Sequence, residues 1–370
     1  MTFAVSLFGL VTHREIPVPW GVFKTQPDKT QPELKSNEYI APMLCEEIEI
    51  NGTLKQYGLD GARVTQAYRE AIAEELKSCE AQGDLAERKW DGTRVIAKGN
   101  GSEVILQNRE GRIYTRRLPD VVEAFSHYIH GCWVIDGEIV SIKDGQEQFT
   151  PQQRRCRTEY PEQSFIKQIP LNFEAFDLLS INGQNIETEP YFERKIKLLN
   201  LFSKLTTNFQ PLKDYMNDEV VKYVPYERDL QKAWKQVIQK DWEGLIVKDK
   251  LSAYEHKRSW KWRKVKNWKW EVCHVVGYTP GIRARSSFFG ALVLENSEGQ
   301  YRGLVGSGFS EWDLRRFKNL FTDSPSMDKP FSDSQVGSHY TAKKVATEVL
   351  VKYYQLTESG VMRFSTYYMG

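Results

Sequence analysis

From Leu85 onward the chain is cut into short β-branched and aromatic runs separated by Gly, Asn and Asp, and this punctuation leaves few folds open. Runs at 94–98, 103–108, 132–142, 173–179 and 244–248 have the texture of strands. Helical spacing interrupts them at 118–129 (Val122, Phe125, Ile129), 192–202 (Ile196, Leu199) and 230–239 (Trp234, Val237). Upstream, Asp60 reads as an N-cap, and Val64, Tyr68, Ile72, Leu76 and Cys79 follow on one face of a helix that ends near Gly83. Strands and helices in this irregular order predict an α+β domain of antiparallel sheets with flanking helices rather than a βαβ repeat.

After Lys266 the texture is almost purely β, with runs at 272–278, 291–295, 301–305 and 348–354 and one helical piece near 312–320. That density of short strands predicts a small all-β barrel, for which the OB-fold is the natural candidate. The expected division is an N-terminal extension at 1–39, a first domain at 40–266 and the small β domain at 267–370. The extension is rich in proline (Pro17, Pro19, Pro27, Pro32), and its apolar stretch 3–11 is too short to span a bilayer. It also lacks the flanks of a signal peptide, so a first strand or a tail is expected there.

Composition bounds the function only loosely. Lys and Arg (51) nearly equal Asp and Glu (49), so any basic footprint must come from placement. Hydrophobic residues at 40% and charged ones at 27% are those of a soluble globular protein. The five cysteines form no CxxC pair, which argues against a disulfide framework and a zinc site and fits a reducing cytosol.

Glu87-Arg88-Lys89-Trp90-Asp91-Gly92-Thr93-Arg94 is the first candidate for chemistry. Alone, it fits an ordinary turn as well as a reactive site. A lysine nucleophile must be neutral, and an unperturbed lysine titrates at roughly 10.4. The functional reading therefore requires more positive charge, or a metal, aimed at the same place. Trp260-Lys261-Trp262-Arg263-Lys264-Val265-Lys266 offers it. In a strand, Lys264 and Lys266 share one face, and Arg263 and Val265 take the other. Neighbouring lysines repel unless a polyanion such as a triphosphate lies between them. The plainer alternative is a basic edge strand that resists aggregation.

Carboxylates complete the set. The run 133–140 is apolar except for Asp136 and Glu138 on one face, an expensive arrangement unless both have partners. Glu243, before the apolar run 244–247, has the same character. Such acids can hold ribose hydroxyls or Mg²⁺, or can pair with nearby lysines.

Taken in order, these segments resemble the motif series of the covalent nucleotidyltransferases: Lys89 to Arg94, Asp136-Gly137-Glu138, Phe173 to Asp177, Glu243-Gly244 with Val247-Lys248, and Lys264-Val265-Lys266. That superfamily holds ATP-dependent DNA ligases, RNA ligases and mRNA capping enzymes. The likeness runs from about Ile40 onward. Within it, 277–281 (Gly-Tyr-Thr-Pro-Gly), 304–310 and the helix carrying Arg194-Lys195 and Leu198-Leu199 resemble DNA ligases.

The resemblance implies a nucleotidyltransferase (adenylation) domain followed by an OB-fold domain, and an enzyme that seals nicks through lysyl-AMP and then DNA-adenylate. Lys89 would carry AMP. Glu87 and the adjoining backbone, including Arg88, would read the adenine edge, and Phe176 would stack on the base. Arg94 and Glu138 would hold the ribose, Lys264 and Lys266 the α-phosphate, and Lys248 matches a nucleotide-site position. Glu243, with Glu138, would bind the metal, Mg²⁺ or Mn²⁺ in its place. Arg109 would meet the nick 5′-phosphate, and Asp91 and Asp136 would be structural. ATP and nicked duplex DNA are the implied partners of a monomeric, cytoplasmic protein (host cytoplasm if viral) without membrane association. The rival readings are an RNA ligase, a GTP-using capping enzyme, and a non-catalytic nick-binding protein. The family's closing R-x-D-K motif would begin about where the sequence stops, at Arg363 to Gly370; either another basic residue such as Lys343, Lys344 or Arg363 substitutes, or self-adenylylation is slow, or the chain is truncated.

Overall fold

The computed structural model describes residues 38–50, 53–101, 103–203 and 220–370. The stretch 3–11, and all but the end of the expected extension, lie outside the described residues.

Helix Gly61–Ala81 forms where the sequence places it. The Asp60 side chain accepts a hydrogen bond from the Arg63 amide at 3.0 Å, and Val64, Tyr68, Ile72, Leu76 and Cys79 are buried. Each such side chain taken fully out of water contributes roughly 1.5–3 kcal/mol. The helix lies with helix Leu230–Lys240 against a five-stranded sheet ordered Leu44–Glu47, Arg258–Lys266, Gly244–Lys248, Leu85–Lys89, Tyr226–Glu227. A six-stranded second sheet runs Val221–Tyr223, Asn172–Ile181, Cys132–Val140, Thr93–Asn100, Val104–Asn108, with Gln184–Asn185 beside Asn172–Ile181. Its outer face packs on helices Pro119–Tyr128 and Tyr191–Ser203 through Phe125, Trp133, Phe173 and Leu198. Between the two sheets lie Met43, Leu85, Ile96, Val134, Leu179, Tyr254 and Trp262.

The sheets are mainly antiparallel, as expected, with two departures. Leu44–Glu47 pairs parallel to Arg258–Lys266, and Val221–Tyr223 pairs parallel to Asn172–Ile181. Each is a short edge strand far in sequence from its neighbour, so no hairpin turn constrains its direction. Helices Phe149–Arg157 and Gln163–Gln168 also lack an apolar period, and the sequence reading passed over them.

The remaining chain forms a third sheet, ordered Tyr301–Val305, Phe289–Glu295, Lys269–Pro280, Glu348–Tyr353, Thr366–Met369, with Thr341–Ala342 beside Lys269–Pro280. Helix Glu311–Asp323 closes its core through Phe317 and Phe321. The helix opens on a capping box in which Ser310 and Asp313 satisfy each other's backbone amides. Trp270, Leu350 and Tyr354 from this region join the core beneath helix Gly61–Ala81. No described helix is long and apolar enough to cross a membrane.

Candidate active site

Strand alternation builds the site. In Leu85–Lys89, residues 85, 87 and 89 face the second sheet, while Ala86 turns into the core under the helices. Cross-strand pairing then lines up Lys89, Gly244 and Lys266 in one row and Glu87, Ile246 and Lys264 in the next. Gly244 is required in that row, because a Cβ there would run into the Val265 carbonyl. Opposite stands Cys132–Val140, which brings up Glu138. The cleft between the sheets holds about 470 Å³ and is lined by Glu87, Arg88, Lys89, Arg94, Arg109, Glu138, Phe176, Lys248 and Lys264, with Cys45 and Trp262. Lys266 and Glu243 adjoin it through Lys89.

Lys89 Nζ sits 2.5 Å from Glu243 Oε2, and Lys266 Nζ lies 4.0 Å from the other oxygen. Burial by itself would push the Lys89 ammonium down, but the Glu243, Glu138 and Asp91 carboxylates outweigh it and hold the group above its ordinary value. This corrects the expectation that surrounding cations depress Lys89. Its nearest charged neighbour is the Glu243 carboxylate, and Lys266 lies beyond it on the same acid. Lys266 itself is lowered, by burial first and by Lys89 and Lys264 in addition. Lys264 meets Glu47 at 3.2 Å, so the two lysines of the strand are kept apart on separate carboxylates. Burial lifts the Glu138 carboxyl to about 8, against the pull of Lys89 and Arg94.

Arg94, expected at the ribose, spends its donors elsewhere. It grips Asp136 through two hydrogen bonds of 3.0 and 2.5 Å and donates to the Met43 carbonyl at 2.6 Å. Tyr254 also donates to Asp136, at 2.6 Å. What Arg94 shows the cleft is the flat guanidinium, 5.2 Å from the Phe176 ring. Asp136, wholly buried, is the structural partner expected of it. Arg88 lines the cleft, yet its guanidinium lies 3.8 Å from the Trp90 ring and 4.3 Å from Trp242, and it pairs with Glu147 at 3.3 Å.

Glu87 is buried against two lysines, Lys195 at 2.5 Å and Lys248 at 2.6 Å, and the Tyr191 hydroxyl donates to it. Lys248 also sits 4.1 Å from the Trp262 ring centroid and 4.7 Å from that of Phe176. Arg109 is exposed at the mouth, its carbonyl accepting from the Tyr39 hydroxyl at 3.0 Å. At the other end of the turn that follows Lys89, Arg363 reaches Asp91 at 2.6 Å from strand Met362–Arg363, which pairs with Gln355–Leu356 in a small hairpin outside the third sheet. Lys343 donates instead to the Ser324 carbonyl at 2.9 Å.

Sequence reasoning missed Glu47, Glu147, Trp262, Tyr254 and Lys195. Trp262 was accessible, since it shares the period-two face of Lys264 and Lys266. Lys195 was accessible too: with Tyr191, Leu198 and Phe202 it occupies the buried stripe of its helix. Glu47 and Glu147 sit in short segments without a period and carried no signal. Among the described residues no group of three or more His, Cys, Asp or Glu side chains forms a ready metal site. Glu138 and Glu243 still fit Mg²⁺, which takes one or two carboxylates and completes its shell with phosphate and water.

Comparison with known proteins agrees with this geometry. Residues 60–266 match the family model described as ATP dependent DNA ligase domain. A DNA ligase of Archaeoglobus fulgidus is 31% identical over 152 residues, covering 40% of this chain and 27% of that protein. DNA ligase 1 of Methanosarcina acetivorans is 29% identical over 285 residues, covering 70% and 47% respectively. The chain thus spans less than half the length of these curated relatives. A solved structure from work on Lig E DNA ligases superposes with a TM-score of 0.55 at 18% identity, over 90% of this chain and 99% of that one.

Proposed function

The chain belongs to the ATP-dependent DNA ligase family, and we propose that it seals nicks between 5′-phosphate and 3′-hydroxyl ends in duplex DNA through a lysyl-AMP on Lys89. The observation that carries this reading is the single row of Lys89 and Lys266, with Lys264 in the next row and Glu243 paired to Lys89, beside one cleft that Lys89 and Lys264 line.

In the first step the neutral Lys89 amine attacks the α-phosphate of ATP, a P–N bond forms and pyrophosphate leaves. Lys264 and Lys266 stabilise the charge that builds on the phosphate oxygens. Glu243 and Glu138 are the residues that would hold a divalent cation, which would supply further charge neutralisation there. Because Glu243 holds Lys89 as an ammonium, engaging Glu243 elsewhere is also what frees the amine. AMP then passes to the nick 5′-phosphate near Arg109, and the 3′-hydroxyl displaces it. Phe176 and Trp262 line the base pocket, and Glu87 faces the base edge. Such chemistry rests on positioning and electrostatics rather than on proton relays.

The same reading divides the molecule into an adenylation domain at 40–266 and an OB-fold domain at 267–370. It takes a monomer acting on DNA in the cytoplasm, and contacts mainly to phosphates make binding salt-sensitive and sequence-blind.

The test is incubation with α-labelled ATP and Mg²⁺ beside a Lys89→Ala variant, followed by denaturing electrophoresis. Label that survives denaturation in the wild type and is absent from the variant is the expected result. Label retained by the folded variant would sink the assignment of Lys89.

A further inference from the structure

Lys195 is wholly buried on helix Tyr191–Ser203, at a position where an aliphatic residue would serve the packing. Burying an ammonium is costly unless every donor finds a partner. Here Nζ lies 2.5 Å from Glu87 Oε1, donates to the Phe176 carbonyl at 3.1 Å and stands 4.5 Å from the Tyr223 ring centroid. One side chain thus fastens both the carboxylate at the inner end of the cleft and the strand residue whose ring forms its wall.

The partners of Glu87 are all donors: Lys195, Lys248 and the Tyr191 hydroxyl. A carboxylate offers about four lone-pair sites. Lys195 and the Tyr191 hydroxyl share Oε1, and Lys248 stands against Oε2 as an ion pair, so Oε2 keeps a lone pair for a donor on the ligand. An amino group on a purine edge satisfies that vacancy, whereas a carbonyl brings acceptor against acceptor. Unpaired buried polar groups of this kind are how sites reject close analogues.

We infer that Lys195 is a positioning residue for base selectivity, holding Glu87 as a pure acceptor and Phe176 at matching depth so that adenine is admitted and a six-carbonyl purine refused. The inference rests on the nucleotidyl-transfer reading above, and its test separates the two.

The full chain and a Lys195→Met variant are compared for label transfer to Lys89 from α-labelled ATP and from α-labelled inosine triphosphate, which carries a carbonyl in place of the adenine amino group. The preference for ATP is expected to fall roughly tenfold or more in the variant, through a raised KM rather than a lowered kcat. A Lys197→Met control, on the same helix but partly exposed and paired with Glu189, should keep the wild-type preference. If Lys195→Met does not fold, Lys195→Gln removes the charge while leaving a donor for the Phe176 carbonyl, and the same loss is expected. A folded variant that forms lysyl-AMP with the wild-type preference overturns the inference while leaving the enzymatic reading intact. A wild type that takes no label from either nucleotide overturns that reading, and this inference with it.

Discussion

Glu174 shows what burial does to a single residue in this fold. It stands in a cross-strand row of Arg94, Glu138, Glu174 and Lys222, is 1% exposed, and neither carboxylate oxygen has a hydrogen-bond partner. Burial lifts its pKa to about 7, against the opposing pull of Lys222 and Arg88. A carboxyl raised on folding stabilises the native state fully below its unfolded value of 4.5, and that contribution is lost as pH rises through about 7. Stability measured by urea unfolding should therefore decline between about pH 4.5 and 7. Glu174→Gln should flatten the decline by on the order of 2–3 kcal/mol, from the usual worth of a pKa unit. An identical slope in both proteins would place the titrating group elsewhere. Residue identity of this kind was only partly legible in the sequence. Lys89, Glu138, Glu243, Lys264 and Lys266 were singled out by the order of their motifs, which resembles that of the covalent nucleotidyltransferases, since each segment alone also fits a turn, an edge strand or an ion pair. The motifs did not show that Lys89 rests on an acid, since that depends on Glu243 arriving from a strand 154 residues away.

At the level of elements, period was the reliable signal and edges were not. Helix Gly61–Ala81 and strands Gly244–Lys248 and Tyr301–Val305 fell where their spacing put them, because each has one face to bury and only one register does so. The short edge strands Leu44–Glu47 and Val221–Tyr223 bury too little to leave a pattern. The glycines of the motifs also acquire a reason at this level. A Cβ at Gly92 would meet the Ile139 carbonyl, and one at Gly244 the Val265 carbonyl. Both obstacles are backbone, which cannot turn aside as a side chain can. Gly244→Ala should thus push Gly244–Lys248 away from Arg258–Lys266 and carry Glu243 off Lys89. Overpacking of this kind costs roughly 1–3 kcal/mol. The expected observation is a lower unfolding midpoint together with loss of most label uptake from ATP. A variant with unchanged uptake would show that the spacing of the two strands is not what sets the site.

Across the whole molecule, the region after Lys266 is tied to the turn that follows Lys89 as well as to the core. Its Trp270, Leu350 and Tyr354 pack under helix Gly61–Ala81, which fixes the third sheet's position. From there Arg363 reaches Asp91 at 2.6 Å, while the Asp91 amide donates to Glu147 at 3.1 Å. The turn that follows Lys89 is therefore clamped from two sides, and one clamp belongs to the later part of the chain. Of the three basic residues considered in the sequence, Lys343, Lys344 and Arg363, Arg363 is the one that makes this contact, and sequence could not rank them because the ranking is a matter of three-dimensional reach. Removing a hydrogen-bonded charge from a buried carboxylate such as Asp91 costs roughly 1.5–3 kcal/mol. In the proposed reaction Lys89 attacks a phosphate only in the first step, so a loosened turn should slow that step most. Arg363→Ala is accordingly expected to reduce lysyl-AMP formation roughly tenfold or more, since about 1.4 kcal/mol is a factor of ten. Sealing of a nick that already carries a 5′-adenylate should fall by much less. Single-turnover label uptake and sealing of the pre-adenylated nick, measured on one preparation, read the two steps separately. Equal losses in both would mean that Arg363 holds the two halves of the molecule together around DNA rather than aligning the nucleophile.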